Sequence, residues 1–126
     1  MNRKYRRSIS QKIVKAGYKV SIANSKGKAG VEKFAKEIGA EPRDILDISK
    51  DAEVLILSIP FGVIPKLSKE IFKTLPEDSI VVDTSNYYPE LRKENFDESK
   101  PESVWISEQI GRKVIKTFNN ILAYSL

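Results

Sequence analysis

The stretch "EVLILSIP", residues 53–60, decides the fold of this chain. A strand with one wet face alternates apolar and polar residues, whereas an unbroken apolar run suits a strand of a parallel sheet covered on both faces. Pro60 closes the run, since proline brings no backbone donor to a ladder. A second run of this kind, "DSIVVDTSN" at 78–86, follows "VIPKLSKEIFKTL" at 63–75, whose apolar spacing is helical and whose Pro65 fits only a first turn. Two buried strands joined by a helix make a parallel crossover unit.

Toward the N-terminus, "YKVSIAN" at 18–24 alternates Val20 and Ile22 and predicts a strand. Helical patterns flank it. "SISQKIVKA" at 8–16 sets Ile9, Ile13 and Val14 on one face and stops at Gly17; "KAGVEKFAKEIG" at 28–39 does the same with Val31, Phe34, Ala35 and Ile38, and stops at Gly39. Residues 40–52 read as a polar connector with a short helical pattern in "ILDISKDA". Toward the C-terminus, residues 87–101 form a charged surface loop, "ESVWISEQIG" at 102–111 a helix, "KVIKTFNN" at 113–120 a last strand, and "ILAYSL" at 121–126 the start of a helix. Strands alternating with helices, the central strands apolar throughout, predict an α/β fold with a doubly wound parallel sheet, Rossmann-like in its order of elements.

A length of 126 residues suits one domain, so residues 1–126 are read as a single unit with residues 1–7 as a basic extension. Hydrophobic residues at 40% against 31% charged ones support a packed core rather than disorder. The absence of Cys and His removes disulfides, thiol nucleophiles and imidazole base chemistry, which leaves a bound cofactor as the source of reactivity. No apolar run approaches the roughly 18–20 residues of a membrane span, so no membrane is expected and the cytoplasm is the expected location. The net charge of +5 is uneven, for residues 1–40 hold 11 Lys and Arg against 2 acids. "RKYRR", Arg3 to Arg7, invites a nucleic-acid reading. No helix-turn-helix, zinc-finger or aromatic single-strand pattern accompanies it, and nucleic acid is not expected as a partner.

The turn after "YKVSIAN" carries the first functional signal. In dinucleotide-binding folds an Asp or Glu at the end of the second strand accepts the ribose hydroxyls of NAD. Here Asn24, Ser25 and Lys26 stand there, with Lys28 in reach. A carboxylate repels a 2′-phosphate, while a hydroxyl, an ammonium and the amides of a glycine-containing turn donate to one. The turn therefore reads as a site for NADP; a solvated turn with incidental lysines is the alternative reading.

"GYKVSIANSKG", "EVLILSIPF", "DTSNYYPE" and "KVIKTFNNILAYSL" together resemble the NADP-binding domain of the coenzyme F420-dependent NADP oxidoreductase family, from about residue 8 to the end. The same domain type occurs in the six-transmembrane metalloreductases and, more distantly, in pyrroline-5-carboxylate reductases. The resemblance implies that Ser25 and Lys26 bind the 2′-phosphate with Asn24 at the adenosine edge. It implies that Ser58, Ile59, Pro60 and Phe61 border the diphosphate and nicotinamide ribose, Phe61 walling the nicotinamide. It places Asn86 and Asn119, with Asn120, at strand ends beside the crevice, where their amides orient the carboxamide or the acceptor. Turn and cap chemistry for the asparagines and core packing for Phe61 remain open alternatives. Asp83 and Glu108 form no identifiable acid/base pair and receive no catalytic role, and Tyr87 and Tyr88 read as cover for the sheet end.

The chain departs from that family at its start. Family members open with an apolar strand and a Gly-x-Gly-x-x-Gly turn. Counted back from Gly17, the three glycines fall at Met1, Arg3 and Arg6, so the expectation is a Rossmann-like sheet missing its first strand and glycine-rich loop, truncated at both ends. The strands on either side of the missing one would each lose a partner and expose an apolar edge. The function implied is hydride transfer between NADP(H) and a small acceptor such as a deazaflavin or flavin, with no acid or base residue required. The alternative is a non-catalytic or vestigial nucleotide-binding fragment. A homo-oligomer or a complementing chain is the expected macromolecular partner.

Overall fold

The structure, a computed structural model, describes residues 3–85 and 99–117. Five parallel strands, β1 (Ser21–Ile22), β2 (Glu41–Pro42), β3 (Val54–Leu57), β4 (Ile80–Asp83) and β5 (Val114–Lys116), alternate with helices α1 (Arg3–Lys15), α2 (Lys28–Ile38), α3 (Glu70–Thr74) and α4 (Glu102–Ile110). The strands form two sheets, β1-β2 and β3-β4-β5, both parallel. Parallel strands in two sheets, alternating with helices along the chain, are the arrangement of a Rossmann-like fold.

The main core lies against one face of β3-β4-β5. Leu55, Leu57 and Val81 meet Phe61, Ile64, Ile71, Phe72 and Leu75 on one side and Trp105, Ile106 and Ile110 of α4 on the other. Phe61 stacks on Trp105, with ring centroids 4.9 Å apart. A smaller cluster forms around α2, where Val31, Ala35 and Ile38 are buried as their spacing predicts. Gly39 closes α2 in the left-handed conformation (φ 79°), and the next amide, of Ala40, returns to the Ala35 carbonyl at 2.8 Å.

Four expectations are corrected. First, α1 begins at Arg3 rather than Ser8, so the basic segment is helical; Arg7 bonds Glu37 of α2 at 3.1 Å and lies over the Phe34 ring. Second, the polar connector contains β2. Glu41 and Arg43 donate to the Val20 and Ile22 carbonyls, and Pro42 falls between them, where an amide would point away from β1. A proline is tolerated on such an outer edge. Third, 63–75 is not one helix: Phe61–Lys66 is a 3-10 segment, Leu67 is extended, and α3 starts afresh at Glu70. Because the turn begins at Phe61, Pro65 falls where an α-helix needs an amide, which ends the turn. Fourth, cover on the second face is uneven along the strands: Val82 is buried there and Ile56 partly buried, while Val54, Ile80 and Ile115 are about half exposed.

The short α3 is held at its end by an arginine from the turn after α4. The Arg112 guanidinium donates to the carbonyls of Phe72 and Leu75 at 3.0 Å each, Pro76 at 2.6 Å and Glu77 at 3.3 Å. A five-residue helix cannot satisfy its last carbonyls itself, and a cation is favoured at that end. Arg112→Met is expected to lower the unfolding free energy by about 2 kcal/mol in urea titrations, with Arg112→Lys recovering only part; a loss under about 0.5 kcal/mol would mean that water replaces the guanidinium without cost.

Candidate functional site

In each sheet the strands point their carboxyl ends the same way, and open α/β sheets bind ligands at that end. At the β1 end the chain makes a compact turn from Asn24 to Gly27. The Gly27 amide donates to the Asn24 carbonyl at 3.2 Å, and the Lys26 amide to the Asn24 side-chain oxygen at 2.9 Å. Asn24 thus shapes the turn from within. Gly27 has φ 82° and ψ −178°, a region open essentially to glycine alone. Gly30 matters for space: a Cβ there would stand 2.4 Å from that of Lys26, so its absence lets the Lys26 stem lie against α2.

Ser25 and Lys26 are exposed at the tip of this turn. Lys28 is differently placed. Its amide donates to the Asp44 carboxylate at 2.7 Å, so a side chain from beyond β2 caps the start of α2. The hollow beside Lys28 is also lined by Asp44, Asp47 and Asp51, with Arg43 and Lys50 between them. These carboxylates neutralise the region that Lys28 was expected to make positive. Lys50, 2.8 Å from Asp47, holds that carboxyl below the usual carboxylate range by hydrogen bond and charge, with smaller help from Arg43 and Lys28.

At the β3 and β4 ends, Ser58 and Thr84 approach through their hydroxyls at 3.3 Å, and the Thr84 hydroxyl donates to the Leu57 carbonyl at 3.0 Å. Ser58 and Ile59 are partly exposed and Pro60 is exposed at this edge. Phe61 is not: at 4% exposure, its ring belongs to the Trp105 stack, and core packing accounts for it rather than a nicotinamide wall. Asn86, Asn119 and Asn120 lie outside the described residues, as do Tyr87 and Tyr88.

Sequence reasoning missed the most tightly bonded group at this edge. Asp83, fully buried at the end of β4, accepts from the Ser85 amide and hydroxyl at 3.0 Å each and pairs with Lys116 of β5 at 2.9 Å. The Lys116 ammonium also meets Glu102 of α4 at 3.0 Å and the Ser85 carbonyl. A lysine ending an apolar strand and an aspartate ending its neighbour were the legible signal; only the β4-β5 register, Asp83 opposite Lys116, makes them a pair. Glu108 pairs with Lys100 on the surface.

The turn at 24–27 is held by hydrogen bonds within itself and presents a hydroxyl and an ammonium at its exposed tip.

A parallel, doubly wound sheet with its polar groups at the carboxyl edge defines the nucleotide-binding class of open α/β proteins. Within that class, residues 5–87 match the family described as NADP oxidoreductase, coenzyme F420-dependent, and the chain belongs to that family. The fold resembles that of a hypothetical protein, SMa0349, from Sinorhizobium meliloti, with a TM-score of 0.75 at 24% identity over 98% of this chain and 61% of that one. A conserved hypothetical protein from Sinorhizobium meliloti 1021 is similar at a TM-score of 0.63 and 13% identity, over 92% of this chain and 37% of that one. The chain thus spans about three fifths of the first of these and less of the second. No curated protein matches it. No described helix is long and apolar enough to cross a membrane.

Two outcomes follow for the β1 edge. Gly27→Ala is expected to cost about 1–3 kcal/mol in denaturant unfolding, since its Cβ is strained at that φ and stands 3.3 Å from the Asp44 carboxylate. Because the Asp47 pKa is depressed in the folded state, its contribution to stability is present above the ordinary carboxylate pKa and lost as pH falls through the folded value. Lys50→Met should move the Asp47 titration midpoint, followed by carboxyl NMR, upward; an unmoved midpoint would show that the pair is absent in solution.

Proposed function

We propose that this chain is an NADP(H)-binding domain that takes part in hydride transfer between NADP(H) and a small acceptor such as a deazaflavin or flavin. The observation that carries the reading is the preformed turn at 24–27, with Ser25 and Lys26 exposed at its tip in place of an acidic residue. Ser25 and Lys26 bind the 2′-phosphate, and Asn24 keeps the turn in shape behind them. Ser58, Ile59 and Pro60 border the middle of the cofactor. When bound, the nicotinamide supplies the hydride, so the chain's own residues need only bind and orient it. Family membership supports the cofactor class.

NADPH oxidation by the purified chain with a deazaflavin or FMN as acceptor tests the hydride transfer.

Titration with NADPH and NADH in parallel, followed by nicotinamide fluorescence at fixed salt, tests the cofactor. Saturable binding of NADPH alone is expected. Lys26→Glu is expected to weaken NADPH by at least about tenfold, the loss of one charge-assisted phosphate contact, with no change in melting temperature. Equal binding of NADH and NADPH would overturn the 2′-phosphate assignment.

A further inference from the structure

Gly30 is the third residue of α2, an exposed position at which glycine has no conformational reason to stand. Its φ is not among the positive values that Gly17, Gly27, Gly39 and Gly111 adopt, and inside a helix glycine is the least favoured residue apart from proline. What the position lacks is room. A Cβ there would stand 2.4 Å from the Lys26 Cβ, 3.6 Å from its Cγ and 3.4 Å from the Asn24 side-chain oxygen. The Lys26 Cβ is attached to the main chain and cannot swing aside as the end of a long side chain would, so widening 2.4 Å to the 3.4 Å of ordinary contact means displacing the residue itself. That residue is pinned. Its amide donates to the Asn24 side-chain oxygen at 2.9 Å, and the next amide, of Gly27, returns to the Asn24 carbonyl at 3.2 Å. The turn as it stands and a side chain at position 30 exclude each other.

We propose that Gly30 is a positioning residue for the 2′-phosphate: by carrying no side chain it sets where Ser25 and Lys26 stand, and thereby gives the chain a preference for the phosphorylated dinucleotide over the unphosphorylated one. The proposal rests on the assignment of Ser25 and Lys26 to that phosphate. Hydrogen bonds from a hydroxyl and an ammonium to phosphate oxygens weaken steeply with distance and angle, so a tip displaced through Lys26 loses them. NADH, with a hydroxyl in place of the phosphate, makes no use of Lys26 and is bound as before. The helix gives up stability at this position, and the turn keeps its shape. Gly30 has no side chain to touch the ligand and acts through Lys26 alone, so removing the Lys26 Cβ removes the need for glycine.

Four chains separate this role from a structural one: the unmodified chain, Gly30→Ala, Lys26→Gly and the double variant, each titrated with NADPH and NADH at fixed salt and melted without nucleotide. Gly30→Ala is expected to weaken NADPH at least about fivefold and to leave NADH within about twofold. Weakening of both alike, or of neither, overturns the proposal. Melting gives a readout that does not depend on the cofactor. In the Lys26→Gly background, where the new Cβ has room, Gly30→Ala is expected to raise the melting temperature by about 2 °C or more, the gain of alanine over glycine in a helix. In the unmodified background the same change is expected to give no rise. Equal shifts in the two backgrounds mean that positions 26 and 30 do not compete for space, and they overturn the proposal while leaving the cofactor assignment standing. NADPH and NADH bound alike by the unmodified chain overturn the assignment itself, and the role of Gly30 with it. If Gly30→Ala folds poorly alone, the double variant carries the test: it is expected to bind NADPH no more weakly than Lys26→Gly does, and a further loss of about fivefold or more overturns the proposal.

Discussion

Within each sheet the strands run the same way, and that constraint shapes the rest of the molecule. A parallel pair cannot be closed by a tight turn, so each strand is followed by a helix or a long connection that carries the chain back. Parallel pairing also sets the carboxyl ends of neighbouring strands side by side, which is why the Ser58–Thr84 contact and the Asp83–Lys116 pair lie together at the ends of β3, β4 and β5. The chemistry is local, but its assembly follows from strand direction.

The edge is polar in two different ways. Around Asp83 the groups are buried or partly buried and satisfy one another, with the carboxylate accepting from Ser85 and Lys116 and the lysine shared with Glu102. Burying such charges is costly unless every partner is present, and removing one leaves another uncompensated. This node ties β4, β5 and the first turn of α4 together and sets where the chain leaves the sheet. Around Ser25 and Lys26 the groups are exposed, and the turn behind them is rigid through Asn24, Gly27 and Gly30. A rigid backbone carrying free polar tips is suited to binding; a saturated buried network is suited to holding.

Much of this was legible in the chain. The unbroken apolar runs at 53–60 and 78–86 marked β3 and β4, and the spacing of Val31, Ala35 and Ile38 marked the buried face of α2. The glycine stops at Gly17 and Gly39 reappear as positive φ values at the ends of two helices. The family resemblance was visible in four short motifs. What misled was proline read by local rules. Pro65 was assigned to the first turn of a helix that starts two residues earlier than its apolar pattern does, and Pro42 disguised an edge strand as connector. Phe61 was read toward the ligand because it follows a strand end, yet the nearby Trp105 ring, more than forty positions away, draws it into the core.

The sequence by itself determined strand direction, helix faces, the absence of histidine and cysteine chemistry and the character of the 24–27 turn. These depend on period, composition and residues within a few positions of one another. Tertiary structure alone decided the Asp44 cap on α2, the Arg112 clasp on α3, the Asp83–Lys116–Glu102 node and the split of the strands into two sheets. Each of these joins groups far apart in the chain whose meeting depends on strand register and crossover geometry, and a short-range pattern carries no record of either.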